Sequence, residues 1–109
     1  MQNWTVKKIV EAKGGTPLAT LTAYDTITAR LADSAGIALI LVGDSLGTTA
    51  LGFPTTIPVT MEMMLHHVAA VRRGVQNAVV VADMPFLSYQ VSTEEAIRNA
   101  GRFMQEAGA

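Results

Sequence analysis

IALILVGDS, at residues 37–45, is an unbroken apolar run that ends in glycine and aspartate, and AVVVAD, at residues 78–83, repeats the pattern. Continuous apolar runs of this length are typical of β-strands covered on both faces, as in parallel sheets. A third run, at residues 18–23, precedes Tyr24 and Asp25. We therefore predict three parallel strands, with the second and third buried on both faces.

Helical patterns lie between and after these runs. Ile27, Leu31 and Ala35 recur at the spacing of one helical face, and Gly36 follows as a stop signal. Ser92 and Glu95 form a capping-box pattern at the start of the last helical stretch. Helices are predicted over residues 6–12, 26–35, 61–73 and 92–107.

The alternation of strands and helices indicates the fold class. Buried strands joined by helices predict right-handed βαβ crossovers and an α/β fold with a parallel sheet. A complete (βα)8 barrel needs about 250 residues, whereas this chain has 109. We expect either a very small three-layer domain or the first part of a larger barrel.

Composition excludes several classes of function. Half of the residues are apolar, 16% are charged and the formal net charge is −1, which argues against disorder and against nucleic-acid binding. The chain has no cysteine, so disulfides and thiolate metal sites are excluded. The first residues are too polar for a signal peptide, and no apolar run could span a bilayer. We expect a cytoplasmic protein without membrane partners.

Each predicted strand is followed by a carboxylate. Ligands of parallel α/β folds bind beyond the carboxyl ends of the strands, where Asp25, Asp44 and Asp83 lie. Asp44 and Asp83 would converge on neighbouring strands, and a hard cation such as Mg²⁺ would relieve their repulsion. The alternative for each aspartate is a helix cap or a turn, and we prefer it for Asp25, which directly precedes a predicted helix.

Other segments leave alternatives open. Residues 43–60 are longer than the usual connection of about 2–6 residues, so they either wrap a ligand or form a surface loop. Neighbouring helical residues point about 100° apart, so His66 and His67 cannot chelate one metal and are predicted to be surface or interface residues. Phe86 and Tyr89 either line a pocket or simply cover the end of the sheet.

Five segments together resemble one enzyme family. They are TAYD at residues 22–25, LVGDSLG at 41–47, GFPTTIPVT at 52–60, HHVAAVRRG at 66–74 and ADMPFLSY at 82–89. In this order and spacing, over nearly the whole chain, they are similar to ketopantoate hydroxymethyltransferases. The resemblance implies a (βα)8 barrel of the phosphoenolpyruvate/pyruvate type, of which residues 1–109 would be the N-terminal portion of a single domain, about the first three βα units.

The resemblance also implies an activity. It is the transfer of a hydroxymethyl group from 5,10-methylenetetrahydrofolate to 3-methyl-2-oxobutanoate, giving 2-dehydropantoate, with Mg²⁺ and in a homo-oligomer, often a decamer. By position, Asp44 and Asp83 match metal ligands of the family, and Ser45 matches a residue that contacts the keto acid together with them. The lysine, the further glutamate and the general base of the family would lie beyond Ala109, so we expect no catalytic base within the chain and no turnover by the chain alone.

Two other functions remain open from the sequence. One is another Mg²⁺-dependent barrel enzyme, of the isocitrate lyase or phosphonomutase type, which also places aspartates at strand ends. The other is a non-catalytic binding or assembly module that keeps the sheet without the chemistry. Assays with the respective substrates would separate the first alternative, and Mg²⁺-dependent binding of 3-methyl-2-oxobutanoate would test the second.

Overall fold

The three apolar runs form one small parallel sheet. The elements, in chain order, are α1 (Val6–Glu11), β1 (Thr20–Thr22), α2 (Thr26–Ser34), β2 (Leu39–Val42), α3 (Leu46–Thr49), α4 (Met61–Gly74), β3 (Val79–Ala82) and α5 (Thr93–Ala107). The structure, a computed structural model, describes residues 3–109. The strand order is β1-β2-β3 and both pairs are parallel, which confirms the predicted α/β class.

The register of the sheet brings the ends of β2 and β3 level. Val42 pairs with Ala82, so Gly43 and Asp83 leave the sheet side by side. The backbone N–H of Asp83 donates to the carbonyl oxygen of Val42 at 3.0 Å, which continues the ladder by one residue. The segments that follow the two strands therefore start from one point at the carboxyl edge.

Helix α4 supplies more residues of the core than any other element. Its buried side chains pack, with α2, on the face of the sheet that carries Ile40, Val42 and Val80. The buried residues of α4 are Met61, Met64, Leu65, Val68, Val71 and Gly74. At roughly 25 cal/mol per Å² of apolar surface removed from water, this helix makes the largest single contribution to the core.

The opposite face of the sheet is less covered. Residues of β2 alternate between partly buried and buried, Val81 of β3 is 36% exposed, and all three residues of β1 are exposed. The prediction that the second and third strands are buried on both faces is therefore wrong for the second face. Among the described residues the helices pack mainly on one side, so only that side is closed.

Helix α2 forms where it was predicted, but it packs with a different face. Ile27 and Leu31 are 69% and 68% exposed, whereas Ala29, Ala32 and Asp33 are buried. The reason is the close approach of α2 to α4. Small residues are needed at this contact, because a Cβ atom at Gly74 would overlap the carbonyl oxygen of Thr26.

Asp33 holds the connection that leads into β3. Its carboxylate accepts hydrogen bonds from the backbone N–H groups of Gln76 at 2.9 Å, Asn77 at 3.0 Å and Ala78 at 2.7 Å. Asp33 is only 5% exposed, and these charge-assisted bonds offset the cost of burying it. The carboxylate therefore fixes the entry of β3 from the end of α2.

The long segment at residues 43–60 is partly helical. It contains the short helix α3, which the sequence analysis did not predict, and it folds back so that the N–H of Phe53 donates to the carbonyl oxygen of Gly47 at 2.8 Å. Val59 is buried, and a Cβ atom at Gly47 would overlap its side chain. The segment is thus packed on itself at the carboxyl edge.

Candidate active site

The strand-end aspartates Asp44 and Asp83 meet at the carboxyl edge of the sheet. The backbone N–H of Asp44 donates to Oδ2 of Asp83 at 3.1 Å, although the two residues are 39 positions apart in the chain. This bond follows from the register, because Gly43 leaves β2 beside the end of β3. The predicted convergence of the two residues is therefore present.

Gly43 allows Ser45 and Asp83 to lie close to the backbone between β2 and α3. A Cβ atom at this position would lie 3.1 Å from Oγ of Ser45 and 3.3 Å from Oδ2 of Asp83. Both contacts would be tighter than ordinary van der Waals contact, so a residue with a side chain at position 43 would push Ser45 and Asp83 away. The glycine thus lets the serine and the aspartate lie side by side.

The two aspartates open into one cavity. Asp44, Asp83, Met84 and Tyr89 line this cavity of about 440 Å³, which is of a size suited to a small organic acid. Of the two aromatic residues left open by the sequence, Tyr89 lines this cavity, whereas Phe86 lines a separate groove beside α5. Met84 was not singled out from the sequence, because an apolar residue after a strand carries no chemical signal.

The carboxylate of Asp44 is in an unfavourable position for a free anion. Burial raises the pKa of Asp44 above its usual value, and the neighbouring charge of Asp83 raises it further. A cation between the two residues would act against both effects, since it would compensate the lost hydration and the repulsion. The donor set thus suits a hard, oxygen-binding cation.

Ser45 lies beside Asp83 at Gly43 but is not one of the residues that line the cavity. It occupies the N-cap position of α3, yet its side chain makes no capping hydrogen bond. Instead its Oγ lies 2.9 Å from the hydroxyl of Tyr24, at the end of β1. Ser45 can donate to the ionised phenol, and this hydrogen bond is the largest influence on Tyr24 and lowers its pKa, against the opposing effect of burial. While the phenol is protonated, Tyr24 can instead donate to Ser45.

Asp25 does not join the site. Its carboxylate caps α2 by accepting from the N–H of Thr28 at 2.8 Å and from the Thr28 hydroxyl at 3.1 Å. The residue is exposed and does not line the cavity of Asp44 and Asp83. The preference for a capping role over a catalytic one is confirmed.

The two histidines of α4 have different surroundings. His66 is exposed, as predicted, and its ring meets that of His67 edge to face at 5.5 Å between centroids. His67 is half-buried, and its Nδ1 lies 2.8 Å from the carbonyl oxygen of Tyr24. A carbonyl oxygen only accepts, so Nδ1 carries the proton. The prediction of a surface or interface residue did not include this contact, because it joins α4 to the turn after β1, 43 positions away, and spacing does not reveal it.

Within residues 3–109 no group of three or more histidine, cysteine, aspartate or glutamate side chains is placed to hold a metal. The two aspartates at the carboxyl edge are thus the candidate protein ligands in the described part of the chain. Mg²⁺ commonly binds through one or two carboxylates and keeps several waters, so a pair is an adequate donor set for this cation.

A family model described as ketopantoate hydroxymethyltransferase matches residues 3–109. The chain belongs to the ketopantoate hydroxymethyltransferase family. The match covers the sheet, every helix and the aspartate pair, so it applies to the whole described structure. It favours the first of the functions considered from the sequence, since that function was inferred from the same family.

Individual relatives of the ketopantoate hydroxymethyltransferase family agree with this match. The protein named 3-methyl-2-oxobutanoate hydroxymethyltransferase from Thermotoga neapolitana is 62% identical over 100 residues, which are 92% of this chain and 37% of that protein. The proteins of the same name from Syntrophus aciditrophicus and Thermosynechococcus vestitus are 61% and 59% identical, over 89% and 85% of this chain and 36% of each relative. The chain thus spans little more than a third of the length of these relatives.

Across residues 3–109 no helix combines the length and the apolar character needed to cross a membrane.

Proposed function

We propose that this chain supplies the part of an active site that binds Mg²⁺ and a keto acid, in an enzyme that transfers a hydroxymethyl group from 5,10-methylenetetrahydrofolate to 3-methyl-2-oxobutanoate and forms 2-dehydropantoate. The observation that carries the proposal is the meeting of Asp44 and Asp83 in one cavity, in a chain of this family. Ser45, which comes next in the chain, belongs to the same group of residues.

The fold suggests how this part is completed. We infer that the three βα units are the N-terminal portion of one (βα)8 barrel domain of the phosphoenolpyruvate/pyruvate type. The parallel strands lie in the sheet in their chain order and each is followed by a helix, which is the arrangement of consecutive barrel units. The site also lies at the carboxyl edge, where barrel enzymes bind their substrates.

Asp44 and Asp83 would hold Mg²⁺, directly or through a bound water. The raised pKa of Asp44 supports this role, since a carboxylate that is costly to ionise alone gains most from a cation. The backbone N–H of Asp44 donates to the carboxylate of Asp83 and so orients it. The positions of the two proposed ligands therefore depend on each other. Bound Mg²⁺ would supply Lewis-acid stabilisation of negative charge on the keto oxygen.

The residues of this chain then have distinct tasks in the reaction. Removal of the proton from C3 of 3-methyl-2-oxobutanoate leaves charge that spreads to the keto oxygen, and C3 then forms the new bond to the transferred carbon. That carbon gives up its two bonds to the folate nitrogens and takes its hydroxyl oxygen from water, which leaves tetrahydrofolate with the proton from C3 and one proton from the water. The Ser45 hydroxyl donates a hydrogen bond to the substrate and so fixes its orientation in the cavity. The proton acceptor is the general base expected beyond Ala109, so this chain binds and orients the substrate.

Calorimetric titration tests the metal site. We expect the chain to bind Mg²⁺ and to bind 3-methyl-2-oxobutanoate only when Mg²⁺ is present. The change Asp44→Ala should weaken the binding of Mg²⁺ and of the keto acid by more than roughly tenfold. Loss of a residue that only hydrogen-bonds to a metal ligand already lowers metal affinity by about tenfold or more. The matched control is Asp25→Asn, which removes a strand-end charge outside the cavity and keeps a good N-cap residue. Unchanged binding by the Asp44 variant would show that the metal site is wrongly assigned.

Three further features remain proposals that rest on the family. They are 5,10-methylenetetrahydrofolate as the co-substrate, a homo-oligomer such as the decamer of the family, and a cytoplasmic location. The names of the relatives describe a hydroxymethyl transfer, which agrees with a one-carbon donor.

A further inference from the structure

Tyr24 connects the end of β1 to the site at the ends of β2 and β3. Its hydroxyl oxygen lies 2.9 Å from Oγ of Ser45, and its side chain is half-buried. In the sequence, Tyr24 is distinguished only by its place before Asp25 and within the TAYD segment. Through this contact the end of β1 contributes Tyr24 to the site, whereas the carboxylate of Asp25 caps α2.

The direction of this hydrogen bond follows from the chemistry of the two hydroxyls. A phenol is more acidic than an aliphatic hydroxyl, so Tyr24 is the better donor and Ser45 the better acceptor. A serine hydroxyl has one proton to donate and rotates freely about its C–O bond. When Ser45 accepts from Tyr24, its own proton is left for a third group, and no capping bond to α3 competes for it.

The backbone of Tyr24 is hydrogen-bonded to helix α4. Its carbonyl oxygen accepts from Nδ1 of His67 at 2.8 Å. The hydroxyl of the neighbouring Thr26 donates to the carbonyl oxygen of Ala70, also in α4, at 2.7 Å. These two bonds join the turn after β1 to α4, the helix with the most buried apolar residues. The backbone that carries the Tyr24 phenol is therefore fixed relative to α4 while the phenol contacts Ser45.

We propose that Tyr24 is a positioning residue that donates to Ser45, holds the Ser45 side chain in one rotamer and thereby directs its hydroxyl proton to the bound keto acid. This inference rests on the proposed function, because it assumes that Ser45 donates to 3-methyl-2-oxobutanoate. Tyr24 acts on the substrate only through Ser45 and has no part in holding Mg²⁺. The class of ligand is a 2-oxo acid, whose oxygens accept a hydrogen bond from the Ser45 hydroxyl.

A double-mutant cycle on the chain tests the inference. Binding of 3-methyl-2-oxobutanoate in the presence of Mg²⁺ is measured for the unchanged chain, Tyr24→Phe, Ser45→Ala and the double variant. We expect Tyr24→Phe to weaken binding by roughly three- to tenfold, the value of one hydrogen bond. In the Ser45→Ala background the same change should have no further effect, and Mg²⁺ binding without the keto acid should be unchanged by Tyr24→Phe.

The outcomes separate this inference from the proposed function. If the unchanged chain binds Mg²⁺ and the keto acid but Tyr24→Phe binds equally well, the positioning role is wrong and the proposed function stands. If Tyr24→Phe weakens binding by the same factor in both backgrounds, Tyr24 does not act through Ser45, and the inference is again overturned. If the unchanged chain does not bind the keto acid with Mg²⁺, both proposals fail together.

A second measurement needs no ligand. The three-bond coupling between Hα and Hβ of Ser45 reports whether its side chain keeps one rotamer. We expect one rotamer in the unchanged chain and averaging between rotamers in Tyr24→Phe, with the same circular dichroism spectrum in both. An unchanged coupling constant in the folded variant would overturn the positioning role.

Discussion

At the scale of single residues, Asp33 and Asp44 show how surroundings decide what a carboxylate does. Burial raises the pKa of Asp44, and the charge of Asp83 adds to this effect. Burial also acts to raise the pKa of Asp33, but the backbone N–H groups of Gln76, Ala78 and Asn77 outweigh it and lower the pKa below its usual value. The fold therefore stabilises Asp33 as an anion, whereas the surroundings of Asp44 disfavour its ionised form.

The lowered pKa of Asp33 predicts a loss of stability in acid. A carboxyl group with a lowered pKa in the folded state stabilises the fold fully above its unfolded pKa of about 3.9, and the effect is lost as the pH falls through the lower folded pKa. We expect the free energy of unfolding to decrease as the pH falls below about 4, as measured by urea unfolding at a series of pH values.

The change Asp33→Ala tests the source of this pH dependence. It leaves three backbone N–H groups without their acceptor, so we expect a loss of about 2–4 kcal/mol at neutral pH and a flatter dependence on pH below 4. Asp25→Ala, which removes an exposed cap on the same helix, is the control and should cost less. An equal loss for the two variants would contradict the role of Asp33 in fixing the entry to β3.

The sequence contained part of this residue-scale information. The positions of Asp44 and Asp83 after apolar runs predicted their convergence, because parallel strands end at one edge. The capping role of Asp25 followed from its place before a helix. The contacts of Tyr24 with Ser45 and His67 could not be predicted, since they join segments that lie 21 and 43 positions apart in the chain. The importance of Asp33 was also invisible, because its partners lie more than 40 positions away.

At the scale of elements, the contact between α2 and α4 depends on a glycine. A Cβ atom at Gly74 would overlap the Thr26 carbonyl oxygen and lie 3.2 Å from the N atom of Arg30. Both atoms belong to the backbone of α2, so no side chain can rotate to make room. The two helices are therefore as close as their backbones allow.

Substitution of helical glycines tests this contact. We expect Gly74→Ala to lower the free energy of unfolding by about 1–3 kcal/mol, because the helices must move apart. Gly101→Ala is the matched control, since the space around Gly101 in α5 is open and alanine is favoured in a helix by up to about 1 kcal/mol. Thermal unfolding of both variants measures the difference, and a stabilised Gly74→Ala variant would be evidence against the close approach.

Helix boundaries were more predictable than helix faces. Local signals located α2, α4 and α5, because caps and stop residues act within a few positions of the chain; Ser92, for example, accepts from the N–H of Glu95 at 3.1 Å. The spacing of Ile27 and Leu31 indicated the wrong packing face of α2. At this contact, close backbone approach favours Ala29 and Ala32 over larger side chains, and a pattern of hydrophobicity does not record such a preference.

At the scale of the whole molecule, several large apolar side chains are exposed on different elements. These side chains are Val6, Val10, Ile27, Leu31, Ile97 and Met104, each more than 60% exposed. The edge strand β1 is exposed as well. Large exposed apolar surface and open strand edges favour association.

This surface predicts self-association of the 109-residue chain in solution. We expect the apparent mass in sedimentation or light scattering to rise with protein concentration. The double change Ile27→Lys and Leu31→Lys should reduce this rise, because it places charges on the exposed face of α2. Gln105→Lys, at an exposed polar position of α5, controls for the added charge. Equal association of both variants would mean that the α2 face plays no part.

The order of the sheet has a consequence for synthesis on the ribosome. Because β1, β2 and β3 are neighbours in the same order as they occur in the chain, β2 and β3 each emerge after a strand with which they pair has been made. Domains fold as they are synthesised, from the N-terminus, at about 5–20 residues per second. The pairing of this sheet can therefore keep pace with translation, and the corner of Asp44 and Asp83 is completed when β3 is released.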